Sequence, residues 1–320
     1  MESVLSSVLD FANEHGGLTI AIQTIALLFI RQFVVSIPSK EGRTSVARAK
    51  FGEALWFFTY YTSSFTIGIW YLWDKEWLWD PRRYWIEAAL TIPEFPVGLQ
   101  LIYTTQTAFY IAASIVVLFL SHARANHKDK VIMLAHHAVT ITLLAVSYSF
   151  GQHRIGSVVL ILHDVSDIFL EGAKICRYNG WEFVTNHVFA TFAIVFFISR
   201  LIVFPTRVLY AIVTYFPTDI VYMVKQCTPA GVCTEVPLFS FNCAAFWLIL
   251  LGTLQCLHIY WFALIFRMVV RAVLAKGHVE KDIRSDDEDE ATLEDSDKDS
   301  SNGNGNGNGN NSHRKKRKTD

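Results

Sequence analysis

Charged residues are scarce in this sequence, which excludes a water-soluble domain for most of the chain. Only 18% of the 320 residues are Asp, Glu, Lys or Arg, against about 25% in soluble domains. Twenty of them fall in the last 44 positions, so the body of the chain is poorer still. Hydrophobic residues make up 52%. This composition predicts a membrane domain followed by a disordered tail.

Cysteine is also rare, and the N-terminus lacks basic residues. Five scattered cysteines exclude a disulfide framework. Only Cys227 and Cys233 lie close together in a predicted loop, as two free thiols or as a disulfide facing an oxidising lumen. Without a basic region before the first apolar stretch, we expect no cleaved signal peptide. A formal net charge of -1 and the lack of an RNA- or DNA-binding motif exclude nucleic acid as a partner.

The sequence contains many long hydrophobic runs. A membrane-spanning helix needs about 20 predominantly apolar residues, and seven segments qualify: 18–37, 52–72, 99–120, 131–150, 155–174, 183–204 and 241–266. We therefore expect an all-α polytopic membrane protein with about seven transmembrane helices. The further apolar segment 207–224 is interrupted by Pro217 and Asp219, and we interpret it as a re-entrant or interfacial piece.

The basic residues of the loops predict an orientation. Lys and Arg are more frequent in loops 38–51 and 121–130 and in the turn carrying Lys174 and Arg177 than on the opposite side. The positive-inside rule then places the N-terminus in the lumen and the C-terminus in the cytosol.

The tail, residues 277–320, runs from an acidic stretch through Asn-Gly repeats to a basic block. Ser285 and Ser296 precede acidic residues, as in sites of acidophilic kinases, although the tail could equally be a solvated spacer. Lys318 and Lys316 lie at the third and fifth positions from the end. This resembles a dilysine retrieval signal and implies a retrieval coat as partner and residence in the endoplasmic reticulum membrane.

Charged residues within segment 155–174 need an explanation, because an ionisable group in a membrane helix costs about 2.5–3.5 kcal/mol on insertion scales. Their spacing of i, i+3, i+7 and i+10 defines one helical face. The members of this polar stripe are Asp164, Asp167, Glu171 and Lys174, with His163 at the edge.

A histidine pair lies across a short turn from this stripe. Only residues 151–154 separate segments 131–150 and 155–174, so the two helices should be antiparallel neighbours. His136 and Asp167 are almost equally far from that turn and should lie at the same depth, as an acid–base pair would. A structural His–Asp pair between two helices is the alternative. No histidine stands at the box spacing of di-iron enzymes beside His136 and His137, so we expect no metal.

These residues carry a family resemblance. A paired histidine followed about thirty residues later by the sequence Leu162-His163-Asp164-Val165-Ser166-Asp167, with Leu170-Glu171 and Lys174 after it, resembles the signature of the ceramide synthase family of TLC-domain proteins. The similarity covers about residues 40–275. No homeobox-like insert is present near the N-terminus, and residues 126–133 depart from the usual approach to the histidine pair.

The resemblance implies a division into three parts and an activity. Residues 1–39 would form the luminal N-terminus and first helix, 40–276 a six-helix TLC-type catalytic domain, and 277–320 the cytosolic tail. The implied reaction transfers a fatty acyl group from acyl-CoA to a sphingoid base, with no cofactor. The partners would be acyl-CoA, the sphingoid base, membrane lipids and a second subunit in a homo- or heterodimer.

The resemblance also implies roles for individual residues. The catalytic group would be His136 and Asp167, with His137 and Asp164. Supporting or substrate-binding residues would be His163, Ser166, Glu171, Lys174 and Arg154. His136 could form an acyl-imidazole that the amine opens, or act only as a general base. The alternative class is a non-enzymatic TLC-domain lipid sensor, carrier or translocation accessory; a seven-helix receptor would not explain the polar stripe.

Overall fold

Long helices dominate the computed structural model, which describes residues 16–36, 45–84, 96–120, 127–149, 151–215, 221–227, 233–240 and 244–274. The α-helices of this part of the chain are α1 (Gly16–Val35), α2 (Ser45–Leu72), α3 (Glu76–Trp79), α4 (Val97–Ile115), α5 (His127–Ser149), α6 (His153–Tyr178), α7 (Glu182–Phe196), α8 (Tyr210–Tyr215) and α9 (Ala244–Leu274). A long helix overlaps each of the seven predicted segments, and the helical membrane fold is confirmed.

Most of the long helices could cross a bilayer. By length and composition, five helical segments among the described residues qualify: α1, α4, α5, the continuous rod from α7 to α8, and α9. Helices α2 and α6 are 28 and 26 residues long, which exceeds the length of a span. Helix α2 is rich in hydroxyl and aromatic residues, and α6 carries the predicted polar stripe.

The turn between α5 and α6 is as tight as the sequence predicts. Gly151 adopts a φ of 66°, a left-handed conformation that glycine accepts without steric cost. The amide of Gln152 then donates to the Ser147 carbonyl at 2.8 Å. The chain thus reverses direction between Ser149 and His153. Beyond the turn, α6 packs chiefly against α2 and α7.

The sixth long helix differs from its predicted bounds. Segment 183–204 was expected to end before Pro205, but helical structure continues to Tyr215. The intervening stretch Phe197–Leu209 is π-helical. Its wider hydrogen-bonding pattern accommodates the proline, which has no amide hydrogen and would interrupt an α-helix.

The predicted re-entrant segment 207–224 is likewise not a unit of its own. Its first half belongs to the long helix, and Val221 begins strand β1 (Val221–Cys227). This strand pairs antiparallel with β2 (Cys233–Ser240), and the register sets Cys227 opposite Cys233. This hairpin differs from the predicted all-α fold, in which its two short apolar strands are interpreted as a loop. The predicted disulfide stays a prediction.

A short cap covers the end of the bundle at the α5–α6 turn. We define the end cap as residues 76–84, which comprise α3 and a 3₁₀ turn, Pro81–Tyr84. Arg207 donates to the Trp79 carbonyl at 2.6 Å and Arg154 to the Arg83 carbonyl at 2.8 Å. Tyr84 is buried among apolar side chains of α5, α6, α8 and α9. Two arginines from long helices therefore hold the cap onto the bundle.

Candidate active site

Asp164 lies in a network of polar side chains from three helices. Its Oδ2 accepts hydrogen bonds from Ser64 Oγ of α2 at 2.7 Å and from Gln106 Nε2 of α4 at 2.9 Å. Tyr60 donates to the other end of the Gln106 amide at 3.2 Å. The carboxyl group is buried, and the donors compensate the loss of its hydration. Asp164 thus joins α2, α4 and α6.

Asp167 is paired with an arginine. Arg200, from the π-helical stretch, places Nη2 2.6 Å from Asp167 Oδ1. Ser166 Oγ donates to the same oxygen at 3.2 Å. The guanidinium also lies 4.7 Å from the centroid of the Phe196 ring, a cation–π arrangement. A buried cation is therefore compensated by a carboxylate and an aromatic face.

His136 is enclosed by aromatic rings. Its ring centroid lies 5.1 Å from that of Trp261 in α9 and 6.1 Å from that of Tyr110 in α4, both in edge-on geometry. Its Nδ1 is buried and has no hydrogen-bond partner among the described residues. The neighbouring His137 points elsewhere, with Nδ1 3.1 Å from Ser114 Oγ. The two adjacent histidines thus have different surroundings, as their angular separation on a helix requires.

The structure does not join the predicted pair by a hydrogen bond. His136 lies nine residues after the start of α5 and Asp167 eleven before the end of α6, which corresponds to depths of roughly 13 and 16 Å. The depths are similar, but among the described residues the Asp167 carboxylate accepts from Arg200 and Ser166. Asp167 is thus joined to the π-helical stretch through Arg200 rather than to His136.

The remaining predicted residues divide into two groups. Glu171 and Lys174 form an ion pair at 2.7 Å further along α6, and Ser166 is fully buried. Arg154 lies apart from them, on the end cap, about 19 Å from Asp167 along the helix axis. Ser285 and Ser296 lie outside the described residues.

His163 forms a hydrogen bond with a histidine that the sequence did not single out. Its Nε2 lies 2.8 Å from Nε2 of His258 in α9, and its Nδ1 lies 2.6 Å from the Val159 carbonyl oxygen. Arg200 Nη2 also donates to the His163 carbonyl at 2.9 Å, so the same turn of α6 is bound to the π-helical stretch. His163 thus lies at a junction of α6, α7 and α9.

An apolar cavity lies one helical turn from His136. Tyr110, Thr140 and His163 line one end, and Thr140 lies one turn after His136 on α5. Ser147 and Gly156 line the other end, near the α5–α6 turn. The walls between them are mainly aliphatic and aromatic side chains of α5, α6 and α9. This shape suits a flexible apolar chain whose polar end stays near the histidines.

Sequence reasoning missed Arg200, His258 and Gln106. Each is a buried polar group in a predicted span, and a charged residue in a membrane helix is a functional candidate by default. Arg200 therefore carried a usable signal. The histidine and the glutamine did not, because only the tertiary structure brings them to the polar stripe. Within the described residues, no three His, Cys, Asp or Glu side chains form a group that could hold a metal ion.

Comparison with known proteins identifies a family for the bundle. Residues 50–267 match the family model described as TLC domain. The chain is 37% identical to ceramide synthase 4 of Mus musculus over 257 residues, which cover 80% of this chain and 58% of that protein. It therefore spans little more than half the length of its mammalian relatives.

Plant relatives match over more of their length. Ceramide synthase LOH2 of Arabidopsis thaliana is 32% identical, with 84% of each chain covered. Alternaria stem canker resistance protein 1 of Solanum lycopersicum is 31% identical, with 82% of this chain and 81% of that protein covered. The match to these proteins includes α2, α4, α5, α6, α7 and α9, the helices that build the site.

Proposed function

The chain belongs to the TLC-domain family, and on that premise we propose that it acts as a ceramide synthase. The proposed reaction transfers a fatty acyl group from acyl-CoA to the amine of a sphingoid base and forms an amide. The observation that carries the proposal is a buried histidine, His136, whose Nδ1 has no partner among the described residues and which lies one helical turn from an apolar cavity. Relatives that bear the name ceramide synthase support the same reaction.

The cavity supports a binding mode for the acyl donor. The fatty chain would occupy the space between α4, α5, α6 and α9, with its thioester carbonyl beside His136 and CoA outside the bundle. Burial of the chain stabilises binding by about 0.8 kcal/mol per CH₂ group. Ser147 and Gly156 would lie near the methyl end of the chain. Chain length would then be limited at the end of the bundle that the end cap covers.

Two chemical routes remain open at His136. In direct transfer, the imidazole takes a proton from the amine while the nitrogen bonds to the carbonyl carbon and the C–S bond to CoA breaks. In the covalent route, a ring nitrogen bonds to the carbonyl carbon and releases CoA, and the amine then displaces the imidazole.

Arg200 and Asp167 have a role in both routes. Negative charge develops on the carbonyl oxygen in either transition state, and Arg200 supplies a positive charge in a site poor in water. Asp167 orients that guanidinium through their ion pair. The proposed function of Asp167 is therefore to position Arg200 rather than to hold the His136 ring directly.

The cellular setting is part of the proposal. The chain would reside in the endoplasmic reticulum membrane with its N-terminus in the lumen and its tail in the cytosol, so that acyl-CoA reaches the start of α5. The dilysine-like end would bind the retrieval coat, and the domain at 40–276 could pair as a homo- or heterodimer. Exposed apolar side chains along α1 and α7 contact membrane lipids in this arrangement.

A single assay tests the function. Purified protein is incubated with sphinganine and a series of acyl-CoAs of increasing length, and mass spectrometry identifies the products. We expect N-acyl sphinganine from the unsubstituted protein and from His187→Ala, a control at an exposed histidine of α7. We expect none from His136→Ala. Undiminished acylation by a folded His136→Ala protein contradicts the assignment, and intact-mass analysis after acyl-CoA alone separates the covalent from the direct route.

A further inference from the structure

One face of α9 follows the cavity and continues to His136. Its residues recur at spacings of three and four, which keeps them on one side of a helix. Trp247, Leu251 and Leu254 line the cavity, and Trp261 contacts the His136 ring. His258 lies between Leu254 and Trp261 on this face. Along α9 it is one turn from the cavity-lining Leu254 and one turn from Trp261, and its hydrogen-bond partner His163 lines the cavity.

The hydrogen bonds of His163 fix the tautomers of both rings. A carbonyl oxygen can only accept, so His163 Nδ1 carries the hydrogen that is donated to the Val159 carbonyl. In the neutral ring, His163 Nε2 is then an acceptor. His258 Nε2, 2.8 Å away, must be the donor. The other nitrogen of a neutral His258, Nδ1, is consequently a bare acceptor.

That bare nitrogen has no partner. His258 is fully buried, and its Nδ1 makes no hydrogen bond within the described part of the chain. Its ring is flanked by Phe204 and Phe196, at centroid distances of 5.0 and 6.4 Å, neither of which offers a strong donor. A buried acceptor left unpaired is unfavourable in a finished structure. A donor that arrives with a ligand would satisfy this nitrogen.

We propose that His258 is a specificity-determining residue whose Nδ1 accepts a hydrogen bond from a hydroxyl group of the acyl acceptor, an inference that rests on the proposed function. A sphingoid base carries hydroxyl groups on carbons adjacent to the one that bears its amine. When the amine is at the carbonyl beside His136, a neighbouring hydroxyl lies within reach of the next polar group. His258 occupies that place on α9.

This arrangement favours hydroxylated amines over plain ones. A site built to bind a substrate hydroxyl discriminates against the analogue without it, because a buried polar group is then left unpaired. An amine lacking the hydroxyl should therefore be acylated less efficiently, by a factor on the order of ten in kcat/KM.

Two substitutions separate the nitrogens of His258. The amide of His258→Gln overlies the Nε2 position, so it keeps a donor to His163 but has no acceptor at the Nδ1 position. The amide of His258→Asn overlies the Nδ1 position and keeps that acceptor, but it cannot reach His163. Cys256→Ala, at an exposed position of the same helix, is the matched control.

The experiment compares sphinganine with octadecylamine as acceptors, at one acyl-CoA, in the full-length purified protein. We expect the unsubstituted protein, Cys256→Ala and His258→Asn to prefer sphinganine about tenfold, and His258→Gln to lose the preference through a lower kcat/KM for sphinganine alone. Equal rates for both amines with the unsubstituted protein overturn the inference. So does an equal loss for both amines in His258→Gln, which indicates a purely structural role. Acylation of neither amine by the unsubstituted protein overturns the proposed function and this inference with it.

Discussion

Arg200 Nη2 donates to Asp167 Oδ1 at 2.6 Å and, with the same nitrogen, to the His163 carbonyl at 2.9 Å. One guanidinium group of the π-helical stretch thus neutralises a carboxylate of α6 and satisfies a backbone acceptor one turn before it. Arg200 is about 5% exposed and the Asp167 side chain 22%, so both charges depend on each other rather than on water. The pair therefore ties α6 to the π-helical stretch Phe197–Leu209.

Loss of either partner of this pair should be costly. Asp167→Asn or Arg200→Met leaves one charge buried without its counterion, and we expect each to lower the free energy of unfolding by about 3–5 kcal/mol. The double variant should be destabilised by less than the sum of the two, since it leaves no uncompensated charge. Unfolding in detergent micelles measures the cycle. Additive losses would show that the two side chains do not interact.

The network around Asp164 gives a second prediction. Gln106→Leu removes a donor from the Asp164 carboxyl group and the partner of the Tyr60 hydroxyl. We expect a loss of about 1–3 kcal/mol in the free energy of unfolding, the cost of leaving a buried polar group unpaired. Thr66→Ala, which removes an exposed hydroxyl of α2, should change it by less than about 0.5 kcal/mol. Equal effects of the two substitutions contradict the network.

Gly156 should tolerate no side chain, because a Cβ at this position overlaps the Tyr103 hydroxyl. Gly156→Ala forces the buried tyrosine to move, and overpacking of this kind costs about 1–3 kcal/mol. Tyr103→Phe in the same protein removes the overlapping oxygen and should restore part of the loss. Thermal unfolding of the single and double variants measures the effect.

The control for that test is Gly68→Ala. Its Cβ would lie 3.6 Å from Ile161 Cγ1, an ordinary contact, so a small change is expected. A double variant no more stable than Gly156→Ala alone would argue against the clash with Tyr103.

The end cap should respond to alkaline pH through Tyr84. Burial, opposed by Arg207 and reinforced by Asp80, raises the pKa of its phenol to about 12. Because the folded-state pKa lies above the unfolded value of about 10, the stabilisation is complete below pH 10 and is lost as the pH rises through about 12. Thermal unfolding between pH 9 and about 12 should show this decline, and Tyr84→Phe should remove the part that Tyr84 contributes. An unchanged profile in that variant contradicts the assignment.

Much of the architecture could be predicted, because membrane-spanning helices can be recognised from the sequence alone. A run of apolar residues about 20 long marks a span, and the four residues between the predicted segments 131–150 and 155–174 allow only an antiparallel turn. The end of the sixth long helix, at Tyr215, could not be found this way. Pro205 normally predicts a break, and only the π-helical stretch, which depends on tertiary packing, lets the helix continue to Tyr215.

The sequence predicted which α6 residues belong to the candidate site, but not which residues of other helices they contact. Spacing along α6 predicts that Asp164 and Asp167 share one helical face, and in the structure each has partners from other helices. Helical periodicity carries no information on which distant residue meets each carboxylate. Arg200 and Gln106 come from helices 33 and 58 residues away in sequence, so their pairing depends on how the helices are rotated and packed.

The π-helical stretch has a mechanical consequence. Phe197–Leu209 combines a proline with hydrogen bonds of unusual span, and helices bend preferentially at both features. The continuous rod from α7 to α8 should therefore bend most easily in the segment that carries Arg200. A bend in that rod would displace the guanidinium and, through their ion pair, the Asp167 carboxylate. Helices α5 and α9, which carry His136 and Trp261, contain neither a proline nor a π-helical stretch, so such a bend would move Arg200 relative to these two rings.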